Sequence, residues 1–132
     1  MASVTDLIPH RAPWLLVDRV VDVAGERVCA EKRLTTNDPL LCDGLPETLV
    51  VEALAQTAAC LNGTGLGAHR GFLVAATGFE FHGRAQAGET LTLVAVRTAS
   101  LGALHRFSGE ATVDGRLVAK GQMTFAVERA AS

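Results

Sequence analysis

Apolar and polar residues alternate along most of this chain, and the pattern predicts a strand-rich protein. The run from Trp14 to Val23 is apolar and β-branched, so it predicts a first strand that ends at the turn Ala24–Glu26. The residues from Glu26 to Leu34 alternate in polarity, as in a half-buried antiparallel partner. Further strands are predicted later in the chain, over Phe72–Phe81, Thr90–Thr98, Leu104–Val113 and Leu117–Glu128.

One segment predicts a long helix instead. Between Pro46 and Asn62, a proline at the first helical position, Glu47 in the first turn and Asn62-Gly63 at the end are helix start and stop signals. Apolar residues lie around the whole circumference of this helix, so we expect it to be buried on every side. Because the chain has only one such helix, the elements that surround it must be strands.

These elements predict an α+β protein in which a curved, mainly antiparallel sheet wraps one long apolar helix, the hotdog fold. Asp114-Gly115, between alternating residues, is a strong hairpin signal, and hairpins make the later strands antiparallel. The 132 residues suffice for a single domain over 1–132. One sheet leaves an edge and part of the helix uncovered, and a second copy would cover both, so we predict a homodimer.

The composition argues against several classes of function. Twelve Lys and Arg against fourteen Asp and Glu give a net charge of -2 without a basic run, so no nucleic-acid partner is expected. No apolar run approaches the length of about eighteen residues that spans a membrane, and the N-terminus does not resemble a signal peptide. We therefore expect a cytoplasmic protein without a membrane partner. The cysteines and histidines are too scattered for a zinc site, and neither a metal nor a cofactor is expected.

A single ionisable residue, Glu52, interrupts the interior of the predicted helix. In one interpretation Glu52 reaches an opening at the edge of the helix and is solvated there. In the other, its carboxyl lies in an apolar cleft with a raised pKa, which suits acid–base catalysis. The uniformly apolar neighbours favour the second interpretation. Gln56 lies one turn later on the same face, so we expect it to hydrogen-bond and orient Glu52.

The segments ahead of the helix supply further candidates. Backbone N–H groups at a helix N-terminus are free to polarise a substrate carbonyl, and the residues in that region are Gly44, Leu45, Glu47 and Thr48. Every helix has such a terminus, so this signal is generic. His10 lies between two prolines, and we interpret it first as a structural histidine and second as a catalytic one.

Several motifs of the chain resemble one protein family. The opening run Leu7–Val20, the segment Asn37–Leu41 and the helix residues Val50–Gln56 are similar to the FabA/FabZ-type 3-hydroxyacyl-[acyl-carrier-protein] dehydratases of fatty acid synthesis. Ala87–Leu91 and Gly109–Ala119 continue the similarity in the same order, over nearly the whole chain. The resemblance implies a hotdog dimer with its sites at the subunit interface. It also implies an acyl thioester substrate, carried by acyl carrier protein or coenzyme A, in a tunnel beside the helix.

The resemblance assigns Glu52 to the helix carboxylate of the family and Gln56 to the glutamine one turn later. In those enzymes a histidine in a Gly-His-Phe-Pro loop before the helix removes the α-proton. Here residues 40–45 read Leu-Leu-Cys-Asp-Gly-Leu, without a histidine, and Glu47 stands where a glycine usually follows the helix-opening proline. These departures are similar to those of dehydratase-like proteins from aryl-polyene-type pathways.

Three functions therefore remain open from the sequence. The first is a dehydratase-like lyase in which Glu52 works with a substitute for the histidine, such as His10 or Asp43. The second is a hotdog acyl thioesterase in which Glu52 activates water. The third is a non-catalytic acyl-binding subunit that pairs with another hotdog protein. We rank them in this order and expect weak or altered dehydratase activity, because losing a general base removes about 10²–10⁴-fold in rate.

Overall fold

The computed structural model describes residues 3–8, 14–63 and 69–129. This part of the chain forms two helices and six strands. The helices are α1 (Val4–Leu7) and α2 (Glu47–Gly63). The strands are β1 (Arg19–Ala24), β2 (Arg27–Arg33), β3 (His69–Phe81), β4 (Thr90–Leu101), β5 (Leu104–Val113) and β6 (Arg116–Arg129). His10 and most of the glycine-rich connector after α2 lie outside the described residues.

The six strands form one antiparallel sheet in the order β1-β2-β4-β5-β6-β3. The sequence indicates four later strands in meander order, but only β4-β5-β6 form a meander, because β3 pairs with β6 and not with β4. The last hairpin turns at Asp114 and Gly115, whose φ angles of +48° and +80° are those of a type I′ turn. β3 follows α2 in sequence but pairs with β6 alone, at the far edge of the sheet. The α+β class and the antiparallel sheet predicted from the sequence are confirmed.

The core lies between α2 and one face of the sheet. Alternate residues of β2, β4, β5 and β6 point toward the helix and are buried, which is the period expected of strands with one covered face. The helix approaches closely at Gly109, where a Cβ atom would lie 3.3 Å from Leu54 Cδ1 and 2.9 Å from Met123 Cε. Phe107 and Phe125 fill the same layer with an edge-to-face contact at 5.5 Å between ring centroids.

Several boundaries differ from the predicted ones by one to five residues, and two of these differences bear on the site. The first strand begins at Arg19, so the predicted strand over 14–18 is wrong, and the reason lies in the helix as described below. α2 begins one residue later than predicted, because Pro46 stands before the helix. The Pro46 carbonyl accepts from the amides of Leu49 and Val50, at 3.0 and 3.1 Å, and so starts the helical hydrogen-bond ladder. The short α1, which packs against α2, was not predicted.

The single chain does not bury α2 on every side but leaves part of the helix uncovered, as expected of one sheet. One stripe of the helix, which contains Leu49, Val51, Glu52 and Ala59, remains half-buried, whereas the opposite side is fully buried. A one-sided sheet explains this, because the strands cover the helix from one direction only. In the part of the chain that the structure describes, no helix is long and apolar enough to cross a membrane.

Candidate active site

The site is organised by Gln56, a polar side chain inside an apolar helix. Its side chain is buried, with 1% of the residue exposed. Nε2 donates to the carbonyl oxygen of Trp14 at 2.8 Å and to Oε1 of Glu52 at 3.1 Å, and Oε1 accepts from the amide of Leu16 at 2.7 Å. Both donor hydrogens and the acceptor of the amide are therefore used, as a buried amide requires.

The same contacts explain why the predicted first strand starts late. The carbonyl of Trp14 and the amide of Leu16 form hydrogen bonds with the side chain of Gln56 and not with a neighbouring strand. The chain joins the sheet only afterwards, where the amide of Asp18 donates to the carbonyl of Glu31 at 2.9 Å. Residues 14–18 thus form a strap across α2, which we call the Trp14 strap. Trp14 itself is at the surface, with 62% of the residue exposed.

Glu52 lies on the half-buried stripe of α2, one turn before Gln56. The hydrogen bond expected from their spacing is present, and it fixes one carboxylate oxygen of Glu52. Glu52 is half-buried, on the side of the helix that the sheet does not cover. An acid–base group needs this combination, because one oxygen must be oriented while the carboxyl stays accessible to a substrate.

The loop ahead of the helix has an unusual backbone. Asp43 and Gly44 both adopt positive φ, +51° and +86°. A Cβ atom on Gly44 would lie 2.7 Å from the carbonyl oxygen of Ala85, so only glycine fits there. Arg84 donates from Nη1 to the carbonyls of Cys42 and Asp43, at 2.7 and 3.3 Å. These contacts pin the loop to residues 84–85.

The predicted substrate-binding residues fall into two groups. Gly44 and Leu45 are buried, and the amide of Leu45 already donates to the carbonyl of Ala85 at 2.9 Å, so this amide is not open to a substrate. Glu47 and Thr48 are exposed at the start of α2. Within the described residues, no backbone carbonyl accepts from their amides, as expected for the first turn of a helix.

Asp43, another catalytic candidate, is not joined to Glu52 in the part of the chain that the structure describes. The side chain of Asp43 is exposed, and within residues 14–63 and 69–129 no hydrogen bond or ion pair links it to Glu52. His10 lies outside the described residues. A group of three or more His, Cys, Asp or Glu side chains that could hold a metal ion is not found among the described residues.

One buried charge of this region was missed from the sequence. Lys32 lies in the segment of alternating polarity from Glu26 to Leu34, yet only 8% of the residue is exposed, and it faces the core together with Val28 and Ala30. Its ammonium pairs with Asp38, at the start of the loop that leads to α2. The sequence does contain an indication that Lys32 is buried, because it lies on the same side of the strand as Val28, Ala30 and Leu34.

The profile of the ApeP-like family, described as the ApeP dehydratase, matches residues 2–131. The chain belongs to the ApeP-like dehydratase family. It is also 36% identical, over 135 residues, to the 3-hydroxyacyl-[acyl-carrier-protein] dehydratase FabZ of Oceanobacillus iheyensis, with 96% of each chain covered. FabZ of Lactococcus lactis is 35% identical over 138 residues, which cover 98% of this chain and 95% of the relative. The FabZ-type resemblance and a dehydratase-like function are therefore confirmed.

Solved structures confirm the hotdog fold. The dehydratase heterocomplex ApeI:P from Xenorhabdus doucetiae contains a chain similar to this one, with a TM-score of 0.87 at 19% identity, covering 97% of this chain and 92% of that chain. A hypothetical thioesterase from Streptococcus pneumoniae with coenzyme A is similar at a TM-score of 0.71 and 15% identity, covering 86% and 88%. At these identities the likeness concerns the fold alone.

Proposed function

We propose that this ApeP-like chain eliminates water from a 3-hydroxyacyl thioester, with Glu52 as the acid–base group and Gln56 as the residue that positions it. The observation that carries the proposal is the hydrogen bond from the buried amide of Gln56 to Glu52, a half-buried carboxylate in an otherwise apolar stretch of helix. The membership in a dehydratase family supplies the reaction type.

The reaction needs two proton transfers. A base removes the proton from Cα, the bond from Cβ to the hydroxyl oxygen breaks, and an acid protonates that oxygen, which leaves as water while an enoyl thioester remains. Glu52 supplies one of these transfers. For the other we propose His10 or Asp43, supplied from the same chain or from a second subunit. The open amides of Glu47 and Thr48 are suited to hold the thioester oxygen as negative charge develops on it.

The free edge of the sheet supports a dimer. β3 pairs on one side only, and along it Leu73 and Val74 are 39% and 57% exposed. Unpaired strand edges with exposed apolar residues favour pairing with another chain. We propose that β3 joins a second hotdog subunit, either another copy or a different chain. The second choice is favoured by the dehydratase heterocomplex ApeI:P, and it keeps open a non-catalytic partner role.

The activity is tested by incubating purified protein with 3-hydroxyacyl and saturated acyl thioesters of acyl carrier protein and of coenzyme A. We expect enoyl product from the first substrate and a loss of about 10²–10⁴-fold in Glu52→Gln. Glu110→Gln, on the exposed outer face of the sheet, is the matched control and is expected to keep full activity. His10→Asn and Asp43→Asn identify the second group, because only the variant that removes it loses activity.

Other outcomes select the alternatives. Release of free thiol from saturated thioesters without enoyl product would show a thioesterase instead. If neither product forms and the chain purifies with a second hotdog subunit, it serves as a partner subunit, and the assay is then repeated on the complex. Light scattering coupled to gel filtration distinguishes homodimer from heterodimer. Full activity in Glu52→Gln would refute the proposed role of Glu52.

A further inference from the structure

Lys32 and Asp38 form a buried ion pair between β2 and the loop that leads to α2. Lys32 Nζ lies 3.2 Å from Asp38 Oδ2, and each side chain is 10% exposed. The other ion pairs within residues 14–63 and 69–129 are more exposed: in each of them, at least one of the two side chains is 48% exposed or more. Exposed pairs contribute little to a structure, whereas a buried pair holds its two segments together strongly because neither charge can be left alone.

Asp38 also organises the loop around itself. Its Oδ1 accepts from the amide of Leu40 at 2.9 Å, its carbonyl accepts from the amide of Leu41 at 3.2 Å, and its own amide donates to the carbonyl of Thr35 at 3.1 Å. The carboxylate thus uses one oxygen for the turn and the other for Lys32. A shift of this side chain would change the path of the loop from its first turn onward.

We infer that the Lys32–Asp38 pair positions the segment 35–45 and, through it, the N-terminal end of α2. The segment is held at two points: Lys32 anchors its start, and the amide of Leu45, bonded to Ala85, anchors its end. Pro46 and the open amides of the first helical turn follow directly. Lys32 and Asp38 are therefore positioning residues, and their kinetic consequence rests on the proposed function.

A single and a double variant of the Lys32–Asp38 pair should disturb and then restore the segment 35–45. Lys32→Met leaves the buried carboxylate of Asp38 without its counter-ion, so the carboxylate must turn toward water and release Leu40. Asp38→Asn in the same chain removes that charge but keeps an oxygen for the Leu40 amide. The double variant should then recover the loop, because a buried pair replaced on both sides is often tolerated.

Amide hydrogen exchange of the segment 35–45, by NMR or mass spectrometry at a temperature where all variants are folded, tests the positioning directly. We expect about tenfold or faster exchange in Lys32→Met, and a return to within about threefold of the parent chain in Lys32→Met/Asp38→Asn. Lys120→Met is the matched control, because Lys120 pairs with Glu80 across 3.8 Å with both side chains more than half exposed. Unchanged exchange in Lys32→Met, or no recovery in the double variant, would overturn the inference.

The kinetic arm separates positioning from simple stabilisation. Below the unfolding temperature, we expect kcat of Lys32→Met to fall about tenfold with KM within about twofold, and the double variant to recover it. A purely structural pair would lower the unfolding temperature and leave kcat of the folded protein unchanged. If the parent chain forms no enoyl product either alone or in complex with a second hotdog subunit, the proposed function fails, and the exchange experiment still decides the inference.

Discussion

Replacing Gln56 with methionine should destabilise the protein far more than its size change suggests. Methionine keeps the length of the side chain but cannot accept from the buried amide of Leu16 or donate to the carbonyl of Trp14. An unpaired buried amide costs about 1–3 kcal/mol, and the loss of the hydrogen bond to the carbonyl of Trp14 adds about 1 kcal/mol. We expect a loss of about 2–4 kcal/mol, which is a large share of the roughly 5–15 kcal/mol that holds a domain together.

Urea unfolding followed by circular dichroism measures this loss. All variants are compared at one protein concentration, because association of subunits would make the stability depend on concentration. The unfolding temperature should fall by about 6–12 °C, at roughly 3 °C per kcal/mol for a domain of this size. Thr57→Val is the control: its buried hydroxyl donates to the Ala53 carbonyl within the helix at 2.8 Å, and about 1 kcal/mol or less should be lost. Equal losses in the two variants would refute the reasoning about Gln56.

Two further predictions concern the loop and the cysteines. Gly44→Ala should cost about 3 kcal/mol or more, because its Cβ would lie 2.7 Å from the Ala85 carbonyl oxygen at a φ of +86°. Gly88→Ala, with a similar φ of +91° but open space, should cost about 1–2 kcal/mol, and urea unfolding compares them. Burial raises the pKa of the Cys60 thiol to about 12, so a thiol reagent at neutral pH should modify exposed Cys42 in the folded protein and Cys60 only after unfolding. Mass spectrometry of the labelled peptides checks this, and equal native labelling would contradict it.

The sequence predicted the elements whose signals are local. The hairpin at Asp114-Gly115 and the helix after Pro46 were correct within a residue or two, because turn chemistry and helix-start residues act on their immediate neighbours. The contact between Glu52 and Gln56 was predictable for the same reason, since a spacing of four residues in a helix fixes their proximity.

What the sequence did not predict depends on residues far apart in the chain. Trp14 and Leu16 have the composition of a strand, but Gln56, forty residues later, takes their backbone hydrogen bonds. Likewise the burial of Lys32 is explained only by its counter-ion, Asp38, which lies in the loop after the strand. Local sequence propensity does not predict such partners, because the hydrogen bond or counter-ion forms only when distant residues meet in the folded chain.

The Trp14 strap gives this protein a built-in optical reporter. The chain has one tryptophan and no tyrosine, so its near-ultraviolet fluorescence comes from a single indole. Trp14 is exposed, while its backbone carbonyl accepts a hydrogen bond from the side-chain amide of Gln56, which also donates to Glu52. An acyl thioester that binds beside the carboxylate, or a second subunit that covers the helix, should shift the emission wavelength of the tryptophan. Both events can therefore be followed without an attached dye.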